Sequence, residues 1–193
     1  MSIVLASASP RRVELLRAAG IGCDVHPMDV DESRFGSESP VDYVQRVAGL
    51  KADAAAAALP GRTIIAADTS VVVDGEVFGK PADSEDAVRM LRRLSGRTHQ
   101  VLTGVVVVRG TRRIAFVDTT VVWFRPLPES DIAWYVASGE PRGKAGAYAV
   151  QGLASRFIPR IEGSYSNVVG LPVARVADAL DELGLGPSMI PHS

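Results

Sequence analysis

The chain has 193 residues, 47% of them hydrophobic, enough for one large core or two closely packed lobes. Twenty-one basic residues against 22 acidic ones give a net charge of −1, which excludes a global positive field for long nucleic acid, so no stable nucleic-acid binding is expected. A single cysteine, Cys23, excludes an internal disulfide and fits the reducing cytoplasm; with no charged and apolar leader and no apolar run of membrane-spanning length, a soluble, unprocessed protein is expected.

In chain order, residues 3–6 read as a buried strand and the stretch after Pro10 as a helix. Ser9 is its N-cap and Pro10 its first residue; Val13, Leu15, Leu16 and Ala19 form its apolar stripe, and Gly20 stops it. Ser39-Pro40 repeats this start and opens an alanine-rich helix over 41–59 that ends at Pro60-Gly61. Residues 63–67 read as a buried strand stopped by the charge of Asp68. Residues 71–73 and 76–78 flank Asp74-Gly75, a two-residue hairpin signal. Asp83 or Ser84 caps a helix running to Leu94, with Gly96 beyond it.

Residues 100–108 and 114–124 are apolar, β-branched runs joined by a polar turn, and predict a long hairpin. A helix follows over 129–138, then a glycine-rich approach to a short strand ending at Gln151-Gly152, with a further strand at Phe157-Ile158. The last helix spans 172–183, and the tail over 186–193 reads as frayed. No fixed-period repeat or long linker divides this order, so the expected architecture is α/β: a mixed twisted sheet with flanking helices, as one domain of two lobes around a central cleft.

The strands at 3–6 and 63–67 are separated by helices and should therefore lie parallel, joined by a crossover. Ligands in such sheets bind beyond the carboxyl ends of the strands, so Ser7-Ala8-Ser9-Pro10-Arg11-Arg12 and Asp68 should share a crevice. Two serine hydroxyls, two guanidinium groups and the free amides of a helix start suit a phosphate. The alternative is a surface helix start whose arginines pair with the acidic loop at Asp29, Asp31 and Glu32.

Other chemistries lack support. His26, His99 and His192 are dispersed, with no paired-histidine helix or cysteine cluster for zinc. No G-x-S-x-G elbow or G-x-G-x-x-G turn is present. The stretch from Gly75 to Lys80 is one residue short of a P-loop, with Pro81 where a magnesium-binding hydroxyl would stand.

Several blocks together resemble the Maf family: Leu5-Ala6-Ser7-Ala8-Ser9-Pro10-Arg11-Arg12, Ala67-Asp68-Thr69, Gly79-Lys80-Pro81, Leu94-Ser95-Gly96, Gly143-Lys144-Ala145-Gly146-Ala147-Tyr148 and Gln151-Gly152. The resemblance implies a fold like that of inosine triphosphate pyrophosphatases, commonly homodimeric. It implies nucleoside triphosphate pyrophosphatase activity in the branch acting on dTTP and UTP, with modified pyrimidine nucleotides as a further substrate class, and a link to septum formation and cell-division arrest. The competing expectation is a non-catalytic nucleotide- or nucleic-acid-binding regulator.

Carried over residue by residue, the resemblance makes Asp68 the proton acceptor for the attacking water, with Glu32 beside it for a divalent cation, Mg²⁺ or Mn²⁺. An ordinary aspartate, with a pKa of ~3.9, is a weak base and needs water acidified by such a metal. Lys80 joins them as a catalytic residue, and Lys51 and Lys80 would neutralise charge on the triphosphate and the leaving pyrophosphate. Ser7, Ser9 and Arg11 would grip phosphate. Arg12, Thr69 and Gln151 match the positions that separate this branch by base, and a glutamine amide can pair with a uracil or thymine imide edge. Each residue also has a plain reading: Asp68 as a turn cap, Asp31 and Glu32 as a solvated loop in which Asp31 could replace Glu32, the lysines as surface charge, and Gln151 as a strand-end polar residue. Tyr165-Ser166-Asn167 fits the family's order without an assigned role.

Overall fold

A computed structural model describes residues 2–186; the expected frayed tail beyond Gly186 lies outside the described residues. Among the described residues seven strands form one mixed sheet with helices packed on it. They are β1 (Ile3–Leu5), β2 (Asp24–Val25), β3 (Thr63–Val73), β4 (Glu76–Phe78), β5 (Thr98–Arg109), β6 (Arg112–Trp123) and β7 (Arg160–Glu162). The helices are α1 (Pro10–Ala18), α2 (Pro40–Ala58), α3 (Ser84–Leu94), α4 (Glu129–Ala137), α5 (Tyr165–Val169) and α6 (Val173–Glu182). Strand order is β2-β1-β3-β5-β6-β7, with β4 paired to β3. The chain divides into two compact units, one of residues 2–68, 103–118 and 170–186, the other of residues 69–102 and 119–169.

In the first unit, β1 and β3 run parallel as expected, with Ile3 opposite Thr63, Val4 opposite Ile64 and Leu5 opposite Ile65. Their period-2 alternation separates two apolar layers. Ile3, Leu5, Ile65 and Ala67 pack with Leu16, Leu171, Val176 and Leu180. Val4, Ala6, Ile64 and Ala66 pack on the other face with Ala48, Ala52 and Ala55 of α2. The alanines let α2 lie close, and Gly104 of β5 lets it lie closer still: a Cβ there would overlap Val44 O and stand 2.5 Å from Val44 C and 2.8 Å from Gln45 N. The helix starts as expected, with Ser39 Oγ accepting the Asp42 N–H.

In the second unit, the β3–β4 hairpin pairs Val71 with Phe78, Val72 with Val77 and Val73 with Glu76. Asp74 and Gly75 both have positive φ, 51° and 79°, as this two-residue turn requires. Asp83 is the N-cap of α3 and accepts the Asp86 N–H, while Ala87, Met90, Leu91 and Leu94 are buried. An aromatic cluster fills the core: Phe124 meets His99 and Tyr148 edge to face, and Tyr135 meets Phe157 likewise.

Three expectations are corrected. The strand after Thr63 does not stop at Asp68 but runs unbroken to Val73, because the carboxylate is answered by a lysine from α2 and its charge need not leave the sheet. No strand leads to Gln151. The segment forms 3₁₀ turns at Ala145–Ala147 and Leu153–Phe157, with Gly146 at φ 66°, so the backbone cannot stay extended. Phe157 closes the second turn, and the strand falls at Arg160–Glu162, paired with Val121, Val122 and Trp123 of β6. The two-residue strand β2 and the short helix α5 are too brief to leave a periodic signal.

Candidate active site

Asp68 shares a face of β3 with Ile64 and Ala66, and α2 covers that face. Lys51 lies on the buried stripe of α2 with Val44, Val47, Ala48, Ala52 and Ala55, so its side chain is directed to the sheet rather than to solvent. Its ammonium donates to Asp68 Oδ1 at 2.8 Å and contacts Glu32 Oε1 at 2.7 Å. The Lys51 and Asp68 side chains are 10% and 12% exposed, whereas Glu32 is 46% exposed, so one carboxylate is buried and the other opens to water. One cation between two carboxylates leaves the trio with a net negative charge.

Glu32 comes from a loop without regular structure, and α2 holds that loop too. Tyr43 Oη donates to Glu32 O at 3.0 Å, and Arg46 donates to Ser33 O at 2.8 Å while pairing both oxygens of Glu38 at 2.6 and 2.9 Å. The Arg46 guanidinium also stacks over the Phe35 ring at 4.1 Å. Burial, and then the nearby Asp68 and Glu32 charges, raise the Tyr43 phenol above its ordinary value. Asp31 instead turns back on its own loop, accepting the Ser33 N–H at 2.8 Å, so Glu32 is the acid of this pair that reaches Lys51. Tyr43 and Arg46 went unread in the sequence because a helix-face tyrosine and arginine carry no signal until the loop they hold is known.

Arg12 is buried, 7% exposed, although it sits in the first turn of α1. Its Nε donates to Gly170 O at 2.8 Å and its Nη1 to Ser7 Oγ at 2.8 Å and Ala67 O at 2.9 Å. It thereby ties the end of β1, the middle of β3 and the chain before α6. Burial opposes its charge most strongly, and Asp68 is the largest influence favouring it. Ser9 occupies the N-cap position, but its side chain makes no capping bond, and its own N–H donates to Ser7 Oγ at 3.3 Å. No acidic residue lies in the first turn of α1, where half-buried Arg11 adds positive charge.

The first unit thus brings together Ser7, Ser9, Arg11, Arg12, Glu32, Lys51 and Asp68 around the carboxyl end of β1. Thr69, Lys80 and Gln151 belong to the second unit. Thr69 follows Asp68 on β3; Lys80 and Gln151 are exposed, on a loop after β4 and on a turn. Gly146 N–H donates to Gly79 O at 3.0 Å, which fastens the residue before Lys80 to the glycine-rich segment. A Cβ at Gly146 would lie 2.7 Å from Val71 Cγ2, so this close approach admits only glycine.

As donors for a metal, Asp68 and Glu32 offer hard carboxylate oxygens, and among the described residues no group of three His, Cys, Asp or Glu is placed to hold one. That set fits Mg²⁺ or Mn²⁺, which take one or two carboxylates with substrate phosphates and water. It does not fit a dedicated zinc cage. Among the described residues no helix is long and apolar enough to cross a membrane.

Comparison with known proteins shows the family. Residues 2–183 match the family model described as Maf-like protein. A dTTP/UTP pyrophosphatase from Symbiobacterium thermophilum is 52% identical over 94% of this chain and 94% of its own. One from Citrifermentans bemidjiense is 52% identical over 95% of this chain and 96% of its own. A HAM1 protein from Coxiella burnetii superposes with a TM-score of 0.52 over 94% of this chain and 99% of that one, at 15% identity, a likeness of fold alone. With nearly its whole described length matched, the chain belongs to the Maf family.

Proposed function

We propose that this protein is a nucleoside triphosphate pyrophosphatase that hydrolyses dTTP and UTP between the α- and β-phosphates, giving the monophosphate and pyrophosphate. The observation that carries the reading is the Glu32–Lys51–Asp68 cluster beside Arg12, at the carboxyl end of a parallel strand pair. The names of the half-identical relatives support the substrate class.

In this reading a water oxygen bonds to the α-phosphorus, the bridging P–O bond to the β-phosphate breaks, and pyrophosphate departs. Asp68 accepts the proton of the attacking water. Lys51 holds Asp68 in place and offsets charge that would otherwise accumulate among two carboxylates and the substrate. Asp68 and Glu32 would hold Mg²⁺ or Mn²⁺ with the substrate's phosphates, and the ion would supply acidification of water and neutralisation of phosphate charge. Ser7, Ser9, Arg11 and the uncapped start of α1 receive phosphate oxygens; neither contact made by Ser7 Oγ uses its hydroxyl proton, which leaves it able to donate. Arg12 positions this segment through three oxygens. Lys80 stabilises the leaving pyrophosphate, and Thr69 and Gln151 read the base. The sole cysteine, Cys23, is unbridged, which supports a cytoplasmic setting.

Incubating the purified protein with Mn²⁺ and dTTP and resolving the products tests the reading. dTMP with pyrophosphate is expected, and chelation of the cation should abolish turnover until Mg²⁺ or Mn²⁺ is restored. Release of dTDP and orthophosphate, or no turnover of any pyrimidine triphosphate, refutes it.

A further inference from the structure

Glu140 has no part in the chemistry above, yet its carboxylate is among the most heavily engaged in the second unit. Oε2 accepts the Leu153 N–H at 2.9 Å, and Oε1 accepts the Ala154 N–H at 3.3 Å and the Tyr135 hydroxyl at 2.8 Å. The Tyr135 oxygen in turn accepts the Ala149 N–H at 3.3 Å. Tyr135 is fully buried, and burial, then Glu140, hold its phenol well above the ordinary range, so it remains a neutral donor. The Glu140 backbone is itself fastened, its carbonyl accepting from Lys144 Nζ at 2.6 Å. One tyrosine–glutamate pair therefore grips the chain on both sides of Gln151, at residue 149 before it and at 153 and 154 after it. Gly152 completes the fit: a Cβ there would overlap the carboxylate, with Glu140 Cδ at 2.6 Å.

A glutamine amide carries an acceptor and donors on one flat group. Presented one way, it pairs with the acceptor–donor edge of uracil or thymine; turned over, it pairs equally with the donor–acceptor edge of cytosine. Which face the amide presents is set by its own χ3 rotation, but where it meets the base is set by the backbone beneath it, and discrimination needs both. We propose that Glu140 is a positioning residue for base selection, its carboxylate locking residues 149–154 so that the Gln151 amide meets the pyrimidine at a fixed position. The inference rests on the base-reading role given to Gln151 above.

The test measures kcat and KM for dTTP, UTP and dCTP in Glu140→Gln and Leu153→Pro, with thermal melts as a check on folding. Leu153→Pro removes the N–H that Oε2 accepts and puts the ring Cδ in its place, which displaces the carboxylate; Leu153 is the first residue of its 3₁₀ turn and Gly152 is extended, so the backbone dihedrals suit proline. A misplacement of about 1 Å costs up to roughly a hundredfold. The ratio of kcat/KM for dTTP over dCTP should fall roughly ten- to a hundredfold in both variants, mainly through a higher KM for dTTP and UTP. An unchanged ratio in a folded variant, or an equal loss on all three nucleotides, overturns the proposal. Wild-type protein that hydrolyses no pyrimidine triphosphate overturns instead the parent reading on which it rests.

Discussion

Replacing Gly104 by alanine should damage both stability and turnover, although the residue carries no functional group. The added Cβ would overlap Val44 O and lie 2.5 Å from Val44 C, with Gln45 N at 2.8 Å, and all three are backbone atoms of α2 that no rotamer change can remove. Restoring ordinary carbon contact needs a movement of about 1 Å between strand and helix. Overpacking costs ~1–3 kcal/mol, and with backbone on one side the upper end is expected. For a chain of this size that lowers Tm by roughly 6–12 °C. Lys51 stands on the same buried stripe as Val44, so a displaced helix draws its ammonium from Asp68 and Glu32, now 2.8 and 2.7 Å away. Turnover of dTTP should fall by about a hundredfold. Calorimetric melting and pyrophosphate release measure the two effects, with Gly36→Ala, where a Cβ meets nothing within 4 Å, as control. A Gly104→Ala protein that melts within about 1 °C of wild type and turns over normally would refute the argument.

Asp68→Asn should bind nucleotide with little change yet lose roughly 10²–10⁴ in turnover, seen by calorimetric titration beside a product assay; full residual activity removes Asp68 from its role. Lys51→Met leaves the Asp68 carboxylate buried without its ammonium and should cost about 3–5 kcal/mol in urea unfolding. Adding Asp68→Leu removes the stranded charge, so the double variant should recover much of that stability and none of the activity. His99, buried with Nε2 2.8 Å from the Tyr148 hydroxyl, has its pKa lowered from 6.5 to about 3 by desolvation. Because the unfolded chain takes up that proton first, the contribution is fully present above pH ~6.5 and drains away below it, by roughly 1.4 kcal/mol per pH unit, until about 3. His99→Phe should flatten the fall in Tm between pH 7 and 5, and an unaltered slope would contradict the assignment.

Much of the frame was legible in the residues because it depends on neighbours along the chain. Ser39-Pro40 starts α2, Asp74-Gly75 makes a hairpin and Asp83 caps α3, since capping and positive φ are decided within a few residues. Parallel β1 and β3 also followed, because a strand, a crossover and a second strand admit few other solutions. Where charge enters the interior, the sequence was silent. Asp68 continues a strand only because Lys51, seventeen residues earlier, meets it. Lys51 is turned inward only because alanines and Gly104 draw its helix onto the sheet, and Arg12 is buried only because Ala67, Gly170 and Ser7 supply oxygens. The turns around Gln151 likewise depend on a carboxylate eleven residues back in Glu140 and on the Tyr135 hydroxyl. A buried charge or polar loop is stable only when its partners are in place, and those partners are assembled by tertiary packing rather than by local propensity.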